Sequence, residues 1–381
     1  MTRASKHIDV EIFVVDNNST DGSKEFFEGR FDNVKFTWNE VNLGFGKANN
    51  LALKQAIGEY ILFLNPDTIL PEDCLDKSLS FFQNQHDAGA IGIRMIDGTG
   101  RFLKESKRSF PSLSTAFYKL SGLAALFPGS AVFARYYLGQ LDPHRNHVVD
   151  VLAGAFMMVP QKVLGITGGF DERFFMYGED VDLSYRIQRA GFKNFYFAES
   201  TIIHFKGEST KRGSLNYVRL FYGAMGLFVQ KHYISGFGRF YTLLIRVAIW
   251  TGATISALGH RISRLFRYRN EVPTTMNSLI VADKKEFDFI ESVLQNYKGG
   301  PKIIGRVSPN YLVEEEAIGN LHQLTLLLRK HAIKEIIFGM DGITAKETIG
   351  LLQGLPGDIH SRFHFAGTFS IVGSDQKELR R

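Results

Sequence analysis

The chain has 381 residues, of which 44% are hydrophobic and 22% charged. Those proportions describe a packed globular protein of about two domains, and they exclude a disordered chain, a collagen-like repeat and a polytopic membrane protein. The net charge of +6 is unevenly placed: residues 205–270 hold eleven Lys and Arg against one acid, Glu208, a local +10 that leaves the remainder at −4. A single cysteine, Cys74, leaves no partner for an internal disulfide, and MTRASKHIDVEIF lacks the apolar run of a signal peptide. The expectation from both is a reducing, cytoplasmic setting.

From the N-terminus, residues 8–204 read as alternating strands and helices, the pattern of a parallel α/β sheet with its sites at strand C-termini. IDVEIFVV predicts a strand ending at Asp16, whose carboxylate then points into the crevice over the sheet edge; Asn17 through Ser23 read as an Asx turn capping the next helix. NLGFGKANN (42–50) follows, and Gly44 and Gly46 allow backbone to approach a ligand at the N-terminus of a helix over 47–57. YILFL (60–64) predicts a short buried strand running into FLNPDT, where Pro66 fixes a turn that lets Asn65 and Asp67 face the same way. A carboxylate there can hold a divalent cation, although a plain turn is an equal reading of the residues alone.

AIGIRMI (90–96) is a strand closed by an Asp97-Gly98 turn, and VLAGAFMMV (151–159) is a further apolar, β-rich run. GGFDERFFMYGEDVDLSYRIQRAGF (168–192) places Glu179 and Asp180 at the start of a helix, with Asp182 and Arg186 four apart as a surface pair. His204 ends the apolar strand of IIHFKGEST (202–210), where an imidazole can complete a metal site or touch a phosphate.

The +10 stretch also carries many aromatics. Residues 240–259 form a mostly apolar run of bilayer-spanning length, but Arg246 inside it would cost roughly 2.5–3.5 kcal/mol at a bilayer centre. Thr242, Arg246, Ser256, His260, Ser263 and Arg267 fall near one helical stripe, so the favoured reading is an in-plane basic amphipathic helix on an anionic membrane surface, with a true span second and a core helix third. No nucleic-acid-binding module is present in it. Beyond a linker at 271–277, a second alternation predicts strands at NSLIVAD, KIIGRVS and KEIIFGM, with helices over 284–297, 321–331 and 345–353. This small Rossmann-like unit has VADK where a glycine fingerprint would stand, which argues against a dinucleotide cofactor. The predicted organisation is therefore 1–210, 211–270 and 271–381.

Taken in order and spacing, the five polar elements resemble the inverting family 2 glycosyltransferases of GT-A fold, especially their rhamnosyltransferase-like branch. The resemblance covers about 8–210. It implies that Asp16 contacts the donor nucleobase, and that Asn42, Gly44, Gly46 and Asn49 line the nucleotide site. Asn65-Pro66-Asp67 is similar to the branch's D-x-D motif, with Asp67 as the ligand of a divalent cation (Mg or Mn), Asn65 helping to position the site and His204 at the metal–diphosphate end. Asp180, with Glu179 beside it, is similar to the catalytic base. No processive Q-x-x-R-W motif occurs, so a single addition is expected. The implied reaction moves a sugar, rhamnose from dTDP-rhamnose first among the guesses, to a lipid-linked or glycan acceptor in surface-polysaccharide assembly. It would run on the cytoplasmic side of the cell membrane, with the protein peripheral to or anchored in it.

Members of this family carry an additional strand and helix before the strand ending at Asp16. The expectation is thus an N-terminally truncated GT-A domain, and the rival reading is a catalytically inactive scaffold in a glycan-assembly complex. The last unit resembles, over 277–373, the nucleotide-binding-like domain of polyprenyl-phosphate sugar-phosphate transferases, which implies regulation or docking more than catalysis.

Overall fold

A computed structural model describes residues 1, 3–112, 114–115, 118, 122–205, 215–232, 276–295, 300–310 and 316–373. The predicted amphipathic or spanning segment at 240–259 lies outside the described residues, and no helix among those described is long and apolar enough to cross a membrane.

Three sheets organise the described residues. The first is a parallel pair, β1 (Ile12–Asp16) and β2 (Val34–Trp38), joined through the short helix α1 (Ser23–Phe27). No residue of these three elements is fully buried, so the pair forms a thin peripheral layer. The second sheet is central and runs β3 (Tyr60–Leu64), β7 (Phe156–Pro160), β5 (Ala88–Ile96), β8 (Lys193–His204) and β4 (Thr68–Ile69), with β6 (His147–Val149) also paired to β8. Every residue of β5 is buried, which is why its run of small and aliphatic residues shows no alternation.

Only β5 and β8 are parallel in this sheet, while β3–β7, β5–β7, β4–β8 and β6–β8 are antiparallel. The expected all-parallel sheet is therefore a mixed one. Strand–helix alternation does not fix direction: α3 (Cys74–Asn84) precedes β5, yet β7 lies antiparallel beside both β3 and β5. The apolar run 151–159 is also divided: Val151 bridges Arg108, residues 152–155 form a loop, and the strand starts at Phe156.

The third sheet has the order β11 (Ala317–Asn320), β10 (Lys302–Ser308), β9 (Asn277–Val281), β12 (Glu335–Gly339), β13 (His360–His364), β14 (Ile371–Gly373). All its pairings are parallel except β13–β14. Its apolar core does not stop at its own boundary. Ile69, Ile96, Ile203 and Phe205 from the central sheet share one buried cluster with Leu279, Val281, Phe338 and Phe363.

The helices that bear on the site are α2 (Phe45–Leu53), α4 (Gln161–Thr167), α5 (Glu179–Arg189) and α6 (Leu215–His232). The C-terminal sheet carries α7 (Lys284–Gln295), α8 (Leu324–Lys330) and α9 (Ala345–Gly354).

Candidate active site

Of the sequence-predicted residues, Asn65, Asp67, Glu179, Asp180 and His204 lie along one edge of the central sheet, where β3, β5 and β8 end and β7 begins. Asn65 follows β3 directly, and its N–H donates to the carbonyl of Ala155 at 3.0 Å. One residue before Ala155, the Gly154 N–H donates to Asp180 Oδ2 at 3.3 Å. The Asn65–Asp67 turn and the head of α5 are thereby both tied to the 152–155 loop.

Helix α5 begins under strain. Tyr177 and Gly178 both take left-handed conformations, with φ of 68° and 83°. A β-carbon on Gly178 would stand 3.0–3.1 Å from Phe174 and Ala224, so this corner requires glycine. The turn aims Asp180 back at the sheet edge. Arg108 Nη2 contacts Asp180 Oδ2 at 2.5 Å and also donates to the Leu152 carbonyl at 2.8 Å, while Asp180 Oδ1 accepts from the Val181 N–H at 2.8 Å. Burial is the largest single influence on the Arg108 guanidinium and would lower it, but the interactions with Asp180 and Tyr136 together hold Arg108 well above its ordinary value. Arg108 escaped sequence reasoning: it is one basic residue in SKRSF, 72 positions from its partner.

Glu179 behaves differently from its neighbour. It is buried, its Oε2 has no hydrogen-bond partner among the described residues, and desolvation first, then the Asp180 charge, push its carboxyl up to about 8. Burial thus favours the protonated form of Glu179.

At the other end, Thr68 pairs with His204 across β4 and β8, and the Phe205 N–H donates to the Asp67 carbonyl at 2.9 Å. This brings His204 Nε2 to 3.2 Å from Asp67 Oδ1. Asp67 Oδ1, His204 Nδ1 and Asn65 Oδ1 are all buried without a hydrogen-bond partner. Orphaned polar atoms in a cluster cost stability unless something else satisfies them. Adjacent donors of an octahedral cation with bonds of about 2.1 Å stand roughly 3 Å apart, so this carboxylate–imidazole separation fits one shared ion. Among the described residues no group of three or more His, Cys, Asp or Glu is placed to hold a metal. Substrate oxygens and water would fill the remaining positions.

Asp16 and the 42–50 residues are placed less simply. Asp16 Oδ2 accepts from the Ser19 N–H at 2.9 Å at the end of β1. Asn42 Oδ1 accepts from Gly44 N–H at 2.9 Å, and Asn49 Nδ2 donates to the Phe45 carbonyl at 2.9 Å, both local bonds. The close approach predicted at Gly44 and Gly46 is real, but it is made to protein. A β-carbon on Gly44 would lie 2.4 Å from the Phe175 carbonyl oxygen, and one on Gly46 3.1 Å from Phe170 Cβ. Glycine here lets the 42–50 loop pack on the 168–177 loop.

Asn17, read as part of a local turn, instead ties β1 to this loop: its Nδ2 donates to Gly44 O and its Oδ1 accepts from Asn39 Nδ2. Asn50 does the same across 120 positions, exchanging bonds of 2.8 and 3.0 Å with the Phe170 backbone. A third surprise is Asp182. The pair with Arg186 forms at 2.8 Å, yet it is not at the surface: Asp182 is fully buried and also meets Lys231 Nζ at 2.6 Å and His232 Nε2 at 2.7 Å. The end of α6 covers it, and nothing in the 180–186 spacing signals a partner so distant in the chain.

Residues 2–164 match the family model described as Glycosyl transferase family 2. Over those residues the chain is similar to the family 2 glycosyltransferases. It is a transferase, and its similarities to known proteins are of the same kind. It is 29% identical over 241 residues to the N-acetylglucosaminyl-diphospho-decaprenol L-rhamnosyltransferase of Mycobacterium tuberculosis, covering 60% of this chain and 77% of the relative. To rhamnosyltransferase WbbL of Escherichia coli it is 30% identical over 171 residues, 42% of this chain and 61% of the relative. Among solved structures, a mannosyltransferase from Pyrobaculum calidifontis in complex with GDP-Man and Mn2+ aligns with a TM-score of 0.39 at 17% identity, over 69% of this chain and 67% of that one.

Proposed function

We propose that this glycosyltransferase is an inverting, metal-dependent enzyme that moves rhamnose from a nucleotide-rhamnose donor to a lipid-linked, N-acetylglucosamine-bearing acceptor in surface-polysaccharide assembly. The observation that carries the reading is the pairing of two unlike ends along one sheet edge: an Asp180 hydrogen-bonded at both oxygens and paired with Arg108, and an unsatisfied Asp67–His204 pair. The sugar, the acceptor and the pathway rest on the rhamnosyltransferase relatives.

Inversion needs one carboxylate to take the acceptor hydroxyl's proton as that oxygen attacks the anomeric carbon from the side opposite the leaving group. Asp180 supplies it. Arg108, the Gly154 N–H and the Val181 N–H hold its oxygens in place, so no reorganisation is needed when the hydroxyl arrives. Asp67 and His204 would hold a Mg or Mn ion, whose charge stabilises the departing diphosphate. Asp16 and the 42–50 loop lie on the nucleotide side, with Asn17 and Asn50 fixing the loop's position.

The test is transfer from dTDP-rhamnose to a polyprenyl-diphosphate N-acetylglucosamine acceptor, with the product's anomeric configuration read by NMR. Transfer with inversion that EDTA stops and Mn²⁺ or Mg²⁺ restores is the expected result; retention, or indifference to EDTA, would overturn the mechanism. The +10 stretch is read as the attachment to anionic lipid that brings the site to its acceptor. Deleting 236–270 should move the protein from the membrane fraction to the soluble one, and an unchanged distribution removes that role.

A further inference from the structure

The C-terminal sheet meets the catalytic part at the place where open α/β sheets usually bind ligands, the C-terminal ends of strands and the helix N-termini that follow them. Here that place is filled by the chain itself. Glu72 accepts from the first two N–H groups of α9, Ala345 at 2.9 Å and Lys346 at 3.2 Å, so its carboxylate sits where an anionic ligand would. Lys346 Nζ returns the contact to Asp73 Oδ2 at 2.7 Å. Arg3 donates to the carbonyls of Met340, Asp341 and Ile343, just past β12. At Gly100 the two parts approach so closely that a β-carbon would lie 2.3 Å from the Leu352 carbonyl oxygen.

This docking surface is continuous with the Asp67–His204 pair. Glu72 follows β4, the two-residue strand that begins immediately after Asp67. Ile69 and Ile203, paired in register beside Thr68 and His204, are buried in the core they share with Phe338 and Phe363. Phe205 stacks edge-on against Phe363 at 4.9 Å, and its N–H is the one bonded to the Asp67 carbonyl. Backbone on both sides of Asp67 and His204 is thus held by the C-terminal sheet.

We infer that the C-terminal sheet is a brace for the leaving-group end of the site, and that Glu72 is the positioning residue that couples them. The part of this inference that concerns the cation rests on the function proposed above. Two charge-assisted bonds to a helix N-terminus fix where the segment 70–73 lies, and the turn at Asp67 inherits that position. The site where this sheet would receive a nucleotide phosphate is accordingly an internal socket.

Hydrogen exchange at the Phe205 amide, measured on the full chain without metal, tests the brace independently of turnover. Glu72→Ala should speed exchange at Phe205 by about tenfold, the scale of a lost charge-assisted hydrogen bond, with Glu72→Gln giving a smaller change. Arg101→Ala, which removes the 2.8 Å bond to the Gly357 carbonyl elsewhere on the same surface, should leave the Phe205 amide unchanged. In transfer assays Glu72→Ala should raise the Mn²⁺ concentration for half-maximal rate while kcat at saturating Mn²⁺ stays within about twofold. Faster exchange confined to 345–354, with Phe205 and the Mn²⁺ requirement unaltered, would overturn the brace. Indifference of the wild-type enzyme to EDTA would remove the cation and leave the exchange comparison to decide the coupling.

Discussion

The two ends of the site are built on opposite plans. At the Asp180 end each carboxylate oxygen has a hydrogen-bond donor and the charge is balanced by Arg108, all supplied from within the catalytic part. At the Asp67 end, three buried polar atoms have no donor or acceptor, and the backbone leans on a sheet more than 200 residues away in sequence. Preorganised charge suits a group that must hold one ionisation state in one orientation. Unsatisfied charge suits a position completed by something the chain does not contain. Under the proposed function, the proton belongs to the first end and the leaving group to the second.

Removing a partner from each end should therefore have opposite effects on stability. Arg108→Ala strips the counter-ion from a nearly buried carboxylate, which typically costs about 3–5 kcal/mol. Urea unfolding should show that loss. The double variant Arg108→Leu with Asp180→Asn should recover much of it, because no buried charge is then left alone. A small change in the single variant would mean the pair is better solvated than its 11% and 14% side-chain exposures indicate. Asp67→Asn, by contrast, should leave the thermal midpoint of the metal-free protein unchanged or higher while abolishing transfer. A clear fall would show that Asp67 stabilises the fold on its own.

The smallest effect concerns Glu179, whose carboxyl is raised from 4.5 to about 8 in the folded protein. A group with a raised folded pKa contributes stability that is complete below its unfolded value and disappears as pH climbs through the folded one. Wild type should lose stability between pH 4.5 and 8 relative to Glu179→Gln, which mimics the neutral acid. Parallel thermal midpoints for the two proteins across that window would contradict the protonated state assigned to Glu179.

How much of this was legible in the sequence followed the range of the interaction. YILFL and KIIGRVS are strands with the predicted limits, since a short apolar or alternating run between turn residues carries its own signal. The helix expected over 47–57 runs from Phe45 to Leu53, ending four residues before Ile57 and five before Gly58. Asp180, Asp67 and His204 stand at the helix start, turn and strand end expected of them, positions that local pattern can locate. VKFTW, by contrast, forms β2 although its half-buried, weakly alternating residues carry no clear strand signal. Arg108, Asn50 and the burial of Asp182 depend on partners 72, 120 and about 50 positions away. Nothing in their immediate neighbours encodes those meetings. The glycines of 42–50 show the same limit: sequence announces that backbone comes close to something there, and only the fold reveals that the something is Phe175.

The most direct test of the division of labour is Asp180→Asn, an isosteric change that keeps a hydrogen-bonding side chain beside Arg108 and removes the base. Rhamnosyl transfer and donor affinity should be measured on the same full-length protein in Mn²⁺. Transfer should fall by about 10²–10⁴-fold, the span of general-base contributions, with donor affinity close to wild type. Retained turnover, or donor binding lost in step with turnover, would contradict the assignment of Asp180 as the group that takes the acceptor's proton.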